Sequence, residues 1–182
     1  MVVRDLYINQ KNFLLIDIGG ELTNIAMVKK DILRESISYP FGTNFITREV
    51  ALGLSSTLDE ARSFLSLYKD GNASVQVVAK LEKVLNQVRT DWLKKFQESL
   101  ASLSNDISIP ATIFIIVEKG WATFFTELIK KEQFNQYTLT ESKFAITFLG
   151  TEELHGLASF EGDVVRDAQL ITPAIYINRY ML

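Results

Sequence analysis

Phe13-Leu-Leu-Ile-Asp-Ile-Gly-Gly-Glu-Leu-Thr-Asn-Ile-Ala-Met-Val-Lys-Lys30 is the stretch whose reading decides the fold. The apolar run Phe13 to Ile16 has the character of a buried strand, and Asp17 stands where that strand leaves the core. Gly19-Gly20 permits a tight turn with its backbone N–H groups exposed, and a second strand starts at Thr23. A carboxylate beside a glycine turn suits a phosphate and its Mg2+, because amides cradle oxygens while the acid holds the metal or its waters. A plain β-hairpin with a convenient Gly-Gly turn uses the same residues, and so short a motif does not separate the two readings.

Working outward, three strands are expected at 13–18, 23–30 and 32–39, with Lys29-Lys30-Asp31 as the second turn. Pro40 and Gly42 end the third strand. Thr43 or Asn44 then serves as N-cap of a helix carrying Phe45, Ile46 and Val50, which Gly53 helps to stop. Thr57-Leu-Asp-Glu60 is a capping-box pattern opening a second helix that runs to Tyr68. Val77, Leu81, Val84, Leu85, Val88, Trp92, Phe96, Leu100 and Leu103 recur at steps of three and four, which predicts an amphipathic helix of about eight turns lying on a sheet. After Pro110, Ala111 to Val117 reads as a buried, parallel strand ending at Glu118-Lys119-Gly120. Trp121 to Lys131 follows as a helix and Phe144 to Leu149 as a last strand. The stretch 150–162 reads as loop, and 163–182 as helix interrupted or restarted near Pro173, its apolar end packed on the sheet. Hairpin-linked strands followed by helix–strand–helix–strand make an α/β sandwich. Its ligand edge lies at the carboxyl ends of the strands, where Asp17, Gly42 and Glu118 converge.

Composition narrows the function. The chain has 182 residues, enough for one well-buried core, and is read as a single domain over 1–182. A net charge of −3 offers no general attraction to nucleic acid or anionic membrane. Cysteine is absent, which removes disulfides, thiolate metal sites and thiol catalysis and fits a reducing cytoplasm. No apolar run approaches the roughly 18 residues of a spanning helix, and the first residues lack the regions of a signal peptide. The lone His155 reads as a solvated loop residue, and Ser36, Ser38 and Ser66 have no second His or Cys for a triad.

The stretch from Phe13 to Tyr68 resembles the second-domain phosphate motif of the actin-like ATPases, most closely the FtsA and PilM proteins of bacterial cell division and pilus assembly. The matches are Asp17-Ile-Gly-Gly-Glu-Leu-Thr23, Ile37-Ser-Tyr-Pro-Phe-Gly-Thr-Asn-Phe-Ile-Thr47, and Leu58-Asp-Glu-Ala61 with Tyr68. The resemblance implies half of an actin-like fold: a ribonuclease H-like sandwich whose central mixed five-stranded sheet is flanked by helices. It also implies ATP and Mg2+ as ligands. Asp17 would help hold Mg2+ through water, and Gly19, Gly20 and Thr23 would surround the phosphates. Gly42 and Asn44 would lie near the ribose or the phosphate side, and Gly120 at the adenine-contacting loop.

The chain departs from the family pattern at several of these places. Glu21 stands for a third glycine, Asn24 for an Asp, Leu65 for a lysine, and Glu118-Lys119-Gly120 for a run of three glycines. A carboxylate beside a triphosphate is repulsive, and side chains in a glycine loop obstruct a base. The sequence starts just before the second-domain motif, so a fragment or natural half of a longer protein is expected, the opening Met1-Val-Val-Arg4 favouring a fragment. The expected function is an actin-like assembly or scaffold domain with a degraded phosphate site, not an enzyme by itself and an ATPase only if a first domain completes it. Its partners would be that first domain, further copies, or a peptide of a membrane-anchored protein. Nucleic acid and direct membrane insertion are not expected, and the chain would be cytoplasmic, peripheral at the inner membrane through partners. The rival reading is a Mg2+-dependent nuclease of the ribonuclease H type using Asp17, Glu118 and Asp163 or Asp167. The charge of −3 and the lack of a basic groove stand against it.

Overall fold

Alternating apolar residues close the sheet first. Leu14, Ile16 and Ile18 on β1 (Asn12–Ile18) face one side, while Phe13 and Leu15 face the other. The computed structural model describes residues 2–104, 108–131, 144–154, 157 and 168–180. β1 pairs antiparallel with β2 (Thr23–Lys29), which pairs antiparallel with β3 (Ile32–Tyr39). On its other edge β1 runs parallel to β4 (Thr112–Val117), followed by β5 (Ala145–Phe148), giving the five-stranded order β3-β2-β1-β4-β5. Lys30 and Asp31 both adopt positive φ, 52° and 61°, as a two-residue hairpin turn of the primed type requires.

Among the described residues, α2 (Thr43–Leu54), α3 (Leu58–Lys69), α4 (Val75–Leu103) and α5 (Lys119–Lys131) cover the first face. Leu81, Leu85, Val88, Trp92, Phe96, Leu100 and Leu103 of the predicted α4 stripe are buried with Ile16, Ile18, Ile115 and Phe125. Val77 is only half-buried. The reason is length: 29 residues of helix span about 43 Å, whereas a seven-residue strand spans about 23 Å, so an end of α4 must overhang the sheet. The second face is covered by the short α1 (Val2–Leu6) and by α7 (Ala168–Tyr180), with α6 (Thr151–Leu154) beside them. There Val2, Val3, Ile171 and Ile175 pack with Phe13, Phe114 and Ile116.

Several local expectations change. The N-cap of α2 is Gly42, and Thr43 and Asn44 are already helical. Gly53 does not stop that helix, which passes through it to a left-handed Ser55 cap at φ 52°. Its role is clearance, since a Cβ there would lie 2.4 Å from Val84 Cγ2 on α4. α5 begins at Lys119, so Gly120 is helical rather than part of a turn. Helix α6 falls inside the stretch read as loop, and Pro173 lies within α7 without interrupting it. The capping box of α3 forms in both directions: Glu60 N donates to Thr57 Oγ1 at 3.3 Å, and Thr57 N donates to Glu60 Oε2 at 2.8 Å. His155, Asp163 and Asp167 lie outside the described residues.

Leu85 is fully buried between α4 and the sheet. Leu85→Ala is expected to cost about 2–5 kcal/mol of unfolding free energy in a urea titration, with little change in slope. A loss below about 1 kcal/mol, the range of exposed positions, would contradict the core assignment.

Candidate functional site

Because β1 and β4 are parallel and Ile18 lies beside Val117, the glycine turn and the start of α5 sit at one edge of the sheet. Thr23 opposite Tyr39 brings the chain leaving β3 to the same edge, where it enters α2. The turn spans Gly19 to Leu22 and closes with Gly19 N donating to Leu22 O at 2.9 Å. Neither Gly19 nor Gly20 has a positive φ, so the turn does not need glycine for its backbone angles. It needs clearance. A Cβ on Gly42 would lie 2.4 Å from Gly20 O and 2.5 Å from Gly19 O. That approach lets the first amides of α2 reach the turn: Thr43 N donates to Gly19 O at 2.9 Å, Asn44 N to Gly20 O at 2.8 Å, and Gly42 N to Glu21 O at 3.2 Å. Orphan N–H groups of a helix start are thereby satisfied by the chain itself.

Glu21 does not stand unbalanced beside the turn. Its Oε1 accepts from Asn44 Nδ2 at 2.9 Å and from Arg48 Nη1 at 3.2 Å, and its Oε2 accepts from the same Arg48 nitrogen at 3.0 Å. The hydrogen bond from Asn44, with that from Arg48, holds its carboxyl below the usual carboxylate range. Asn44 and Arg48 are one helical turn apart, a spacing that the sequence displays but that points at Glu21 only once α2 docks on the turn.

Thr23 is fully buried. Its hydroxyl donates to Phe41 O at 2.8 Å and accepts from Trp92 Nε1 at 3.3 Å, tying β2, the approach to α2, and α4 together. Asp17 is half-buried and shares the parity of Phe13 and Leu15, so it projects on the side of α1 and α7, opposite α2. Gly120 lies under Lys69, whose Nζ would be 3.0 Å from a Cβ there. That ammonium also pairs with Glu118 at 3.6 Å and sits 4.9 Å from the Trp121 ring centroid. Lys119, one of the side chains expected to hinder a base in the Glu118-Lys119-Gly120 stretch, pairs with Glu152 at 3.2 Å. Next to Lys69, a cavity of about 1020 Å³ opens between α3, α4 and α5, walled by Tyr68, Trp121, Phe124, Glu82 and Arg89. Arg89 Nη1 donates to Glu82 at 2.8 Å and Tyr68 donates to the other carboxylate oxygen, holding Glu82 below its ordinary range. Among the described residues no group of three or more His, Asp or Glu side chains could hold a metal ion.

The family model of the cell division protein FtsA matches residues 14–175. No curated protein matches the sequence significantly. Among solved structures the fold is similar to that of ethanolamine utilization protein EutJ from Carboxydothermus hydrogenoformans, with TM-score 0.52 and 14% identity over 81% of this chain and 46% of that one. It is also similar to the PilM-PilN type IV pilus biogenesis complex, with TM-score 0.51 and 17% identity over 68% of this chain and 35% of that one. The chain spans less than half the length of either. These likenesses and the sheet order show the actin-like fold, a mixed five-stranded sheet flanked by helices.

Free amides at the turn and at the helix start, with an uncharged approach, favour a triphosphate at such a turn. Here the Thr43 and Asn44 amides are spent on the turn, Gly42 is closed against it, and Asn44 and Arg48 hold the Glu21 carboxylate at the start of α2. As they stand, the start of α2 and the Glu21 carboxylate do not fit the phosphates of ATP. The Thr23 bonds allow a test of its role: Thr23→Val leaves Trp92 Nε1 buried without its acceptor. The expected loss is about 1–3 kcal/mol in chemical unfolding. An unchanged midpoint would mean that the hydroxyl serves something other than the fold.

Proposed function

The chain belongs to the family of the cell division protein FtsA, and from that premise we propose that it is an actin-like assembly domain, the second half of an FtsA/PilM-like protein, whose work is protein contact rather than ATP turnover. The observation that carries this reading is the family match across residues 14–175, on a fold whose phosphate turn is closed by its own helix. The partners proposed are an actin-like first domain, further copies of the chain, or a short peptide from a membrane-anchored protein. The likeness to a PilM-PilN complex supports partnership with protein. A role in bacterial cell division or pilus assembly follows on this reading, as does a cytoplasmic place held at the inner membrane through partners. Among the described residues no helix is long and apolar enough to cross a membrane.

ATP and Mg2+ would be bound weakly or not at all by this chain alone, with Asp17, Gly19, Gly20, Thr23, Gly42, Asn44 and Gly120 as the remnant of a site. Positioning the γ-phosphate needs donors from both walls of a cleft, and one wall is on offer here. The nuclease alternative gains no support, since Glu118 is paired with Lys69 and Asp163 and Asp167 lie outside the described residues.

Two assays test the proposal together. Sedimentation of the chain with the first domain of an FtsA-like protein is expected to give a complex, whereas duplex or branched DNA gives none. Titration with ATP·Mg2+ is expected to show affinity no tighter than about millimolar, roughly −4 kcal/mol, with no phosphate release. Tight, salt-sensitive DNA binding would contradict the partner class, and micromolar ATP binding abolished by Asp17→Ala would show an intact nucleotide site.

A further inference from the structure

We propose that Glu21 is the chain's own anion: its carboxylate, gripped by Asn44 and Arg48 at the start of α2, takes the place in which the turn and helix would otherwise hold an external phosphate group. The inference rests on the family reading and adds the residue that decides which ligand the turn accepts. An amide and a guanidinium projecting from the first turns of a helix are the donors that bind phosphate oxygens elsewhere, by charge-assisted bonds near the positive end of the helix dipole. Here both are directed at one carboxylate that the chain supplies from the hairpin. The backbone leaves little freedom in this arrangement. Gly19 O and Gly20 O are bonded to the Thr43 and Asn44 amides, and Gly20 has just the clearance that brings Asn44 Nδ2 to the turn.

The pair contributes occupancy rather than stability. Arg48 and Glu21 side chains are 44% and 61% exposed, and exposed ion pairs add little to folding. Their effect on a second anion is larger. While Glu21 is charged, an arriving phosphate meets a negative group and donors already engaged. The cluster as a whole is a closed ion pair with no net charge to attract it. Removing the carboxylate leaves Arg48 and Asn44 in place on a helix that the Gly42 contact still docks, and the site becomes cationic. Inorganic pyrophosphate is then the simplest ligand that matches it, since it supplies phosphate oxygens without needing the region around Gly120.

The test uses the full chain and sodium pyrophosphate, followed by calorimetry and by 15N shifts of Thr43 and Asn44. Wild type is expected to show no saturable binding. Glu21→Ala is expected to bind saturably, at least about tenfold more tightly than the weakest affinity the titration resolves for wild type, the factor that one charge-assisted hydrogen bond supplies, with both amides shifting. Adding Arg48→Ala to that variant is expected to abolish the gain. Equal binding by wild type and Glu21→Ala would overturn the proposal, provided that circular dichroism and the urea midpoint show the variant folded. A gain that survives Arg48→Ala would overturn it too. Complex formation with an actin-like first domain is measured on the same Glu21→Ala protein. If that complex forms while pyrophosphate does not bind, the role of Glu21 fails and the assembly reading stands; the converse result fails the assembly reading alone.

Discussion

The contact on which the rest of this domain depends is the approach of Gly42 to the carbonyls of Gly19 and Gly20, closer than any side chain would allow. It seats the first amides of α2 on the hairpin turn and so fixes where that helix leaves the sheet edge. A second glycine sets the other end: Gly53 admits Val84 into the crossing of α2 with α4. Between them the buried Thr23 hydroxyl links β2 to Phe41 O and to Trp92 on α4. Trp92 in turn stacks on Phe96, with ring centroids 5.1 Å apart, and meets Phe125 of α5 at the same distance. A chain of contacts thus runs from the turn to the centre of the first core layer.

This arrangement explains why residues that resemble a ligand site do structural work. A hairpin turn whose carbonyls accept from a helix start is satisfied without a guest, and hydrogen-bond groups already paired gain little by exchanging partners. At the other end of the same edge, Lys69 lies over Gly120 and Trp121 while pairing with Glu118, so α3 is clasped to the start of α5. Both closures join secondary elements at one edge of the sheet.

Much of this could be read from the chain because the signals are local. The alternation in β1, the stripe along α4, the Thr57–Glu60 capping box and the Lys30-Asp31 turn each depend on residues near one another in sequence. The motif from Asp17 to Thr47, on which the resemblance was drawn, lies inside the residues that the family model matches and folds as strands, turns and a helix start in the expected order. What could not be read depends on distant partners. Gly53 looks like a helix stop until α4 crosses it, and Glu21 looks repulsive until Arg48 arrives on a docked helix. Lys119 looks obstructive, yet Lys69 is the side chain over Gly120, because α5 starts one residue before that glycine. Helix α1 was not expected, since five residues with two buried valines carry too short a pattern to register.

The most direct measurement is amide hydrogen exchange at Thr43 and Asn44, the two groups that a bound phosphate and the glycine turn cannot both hold. If the turn holds them, they exchange slowly in the free chain, at rates comparable to the interior of α2, and adding ATP·Mg2+ leaves those rates unchanged. Fast exchange in the free chain that slows when ATP·Mg2+ is added would show the seat open and the nucleotide filling it, and would contradict the account.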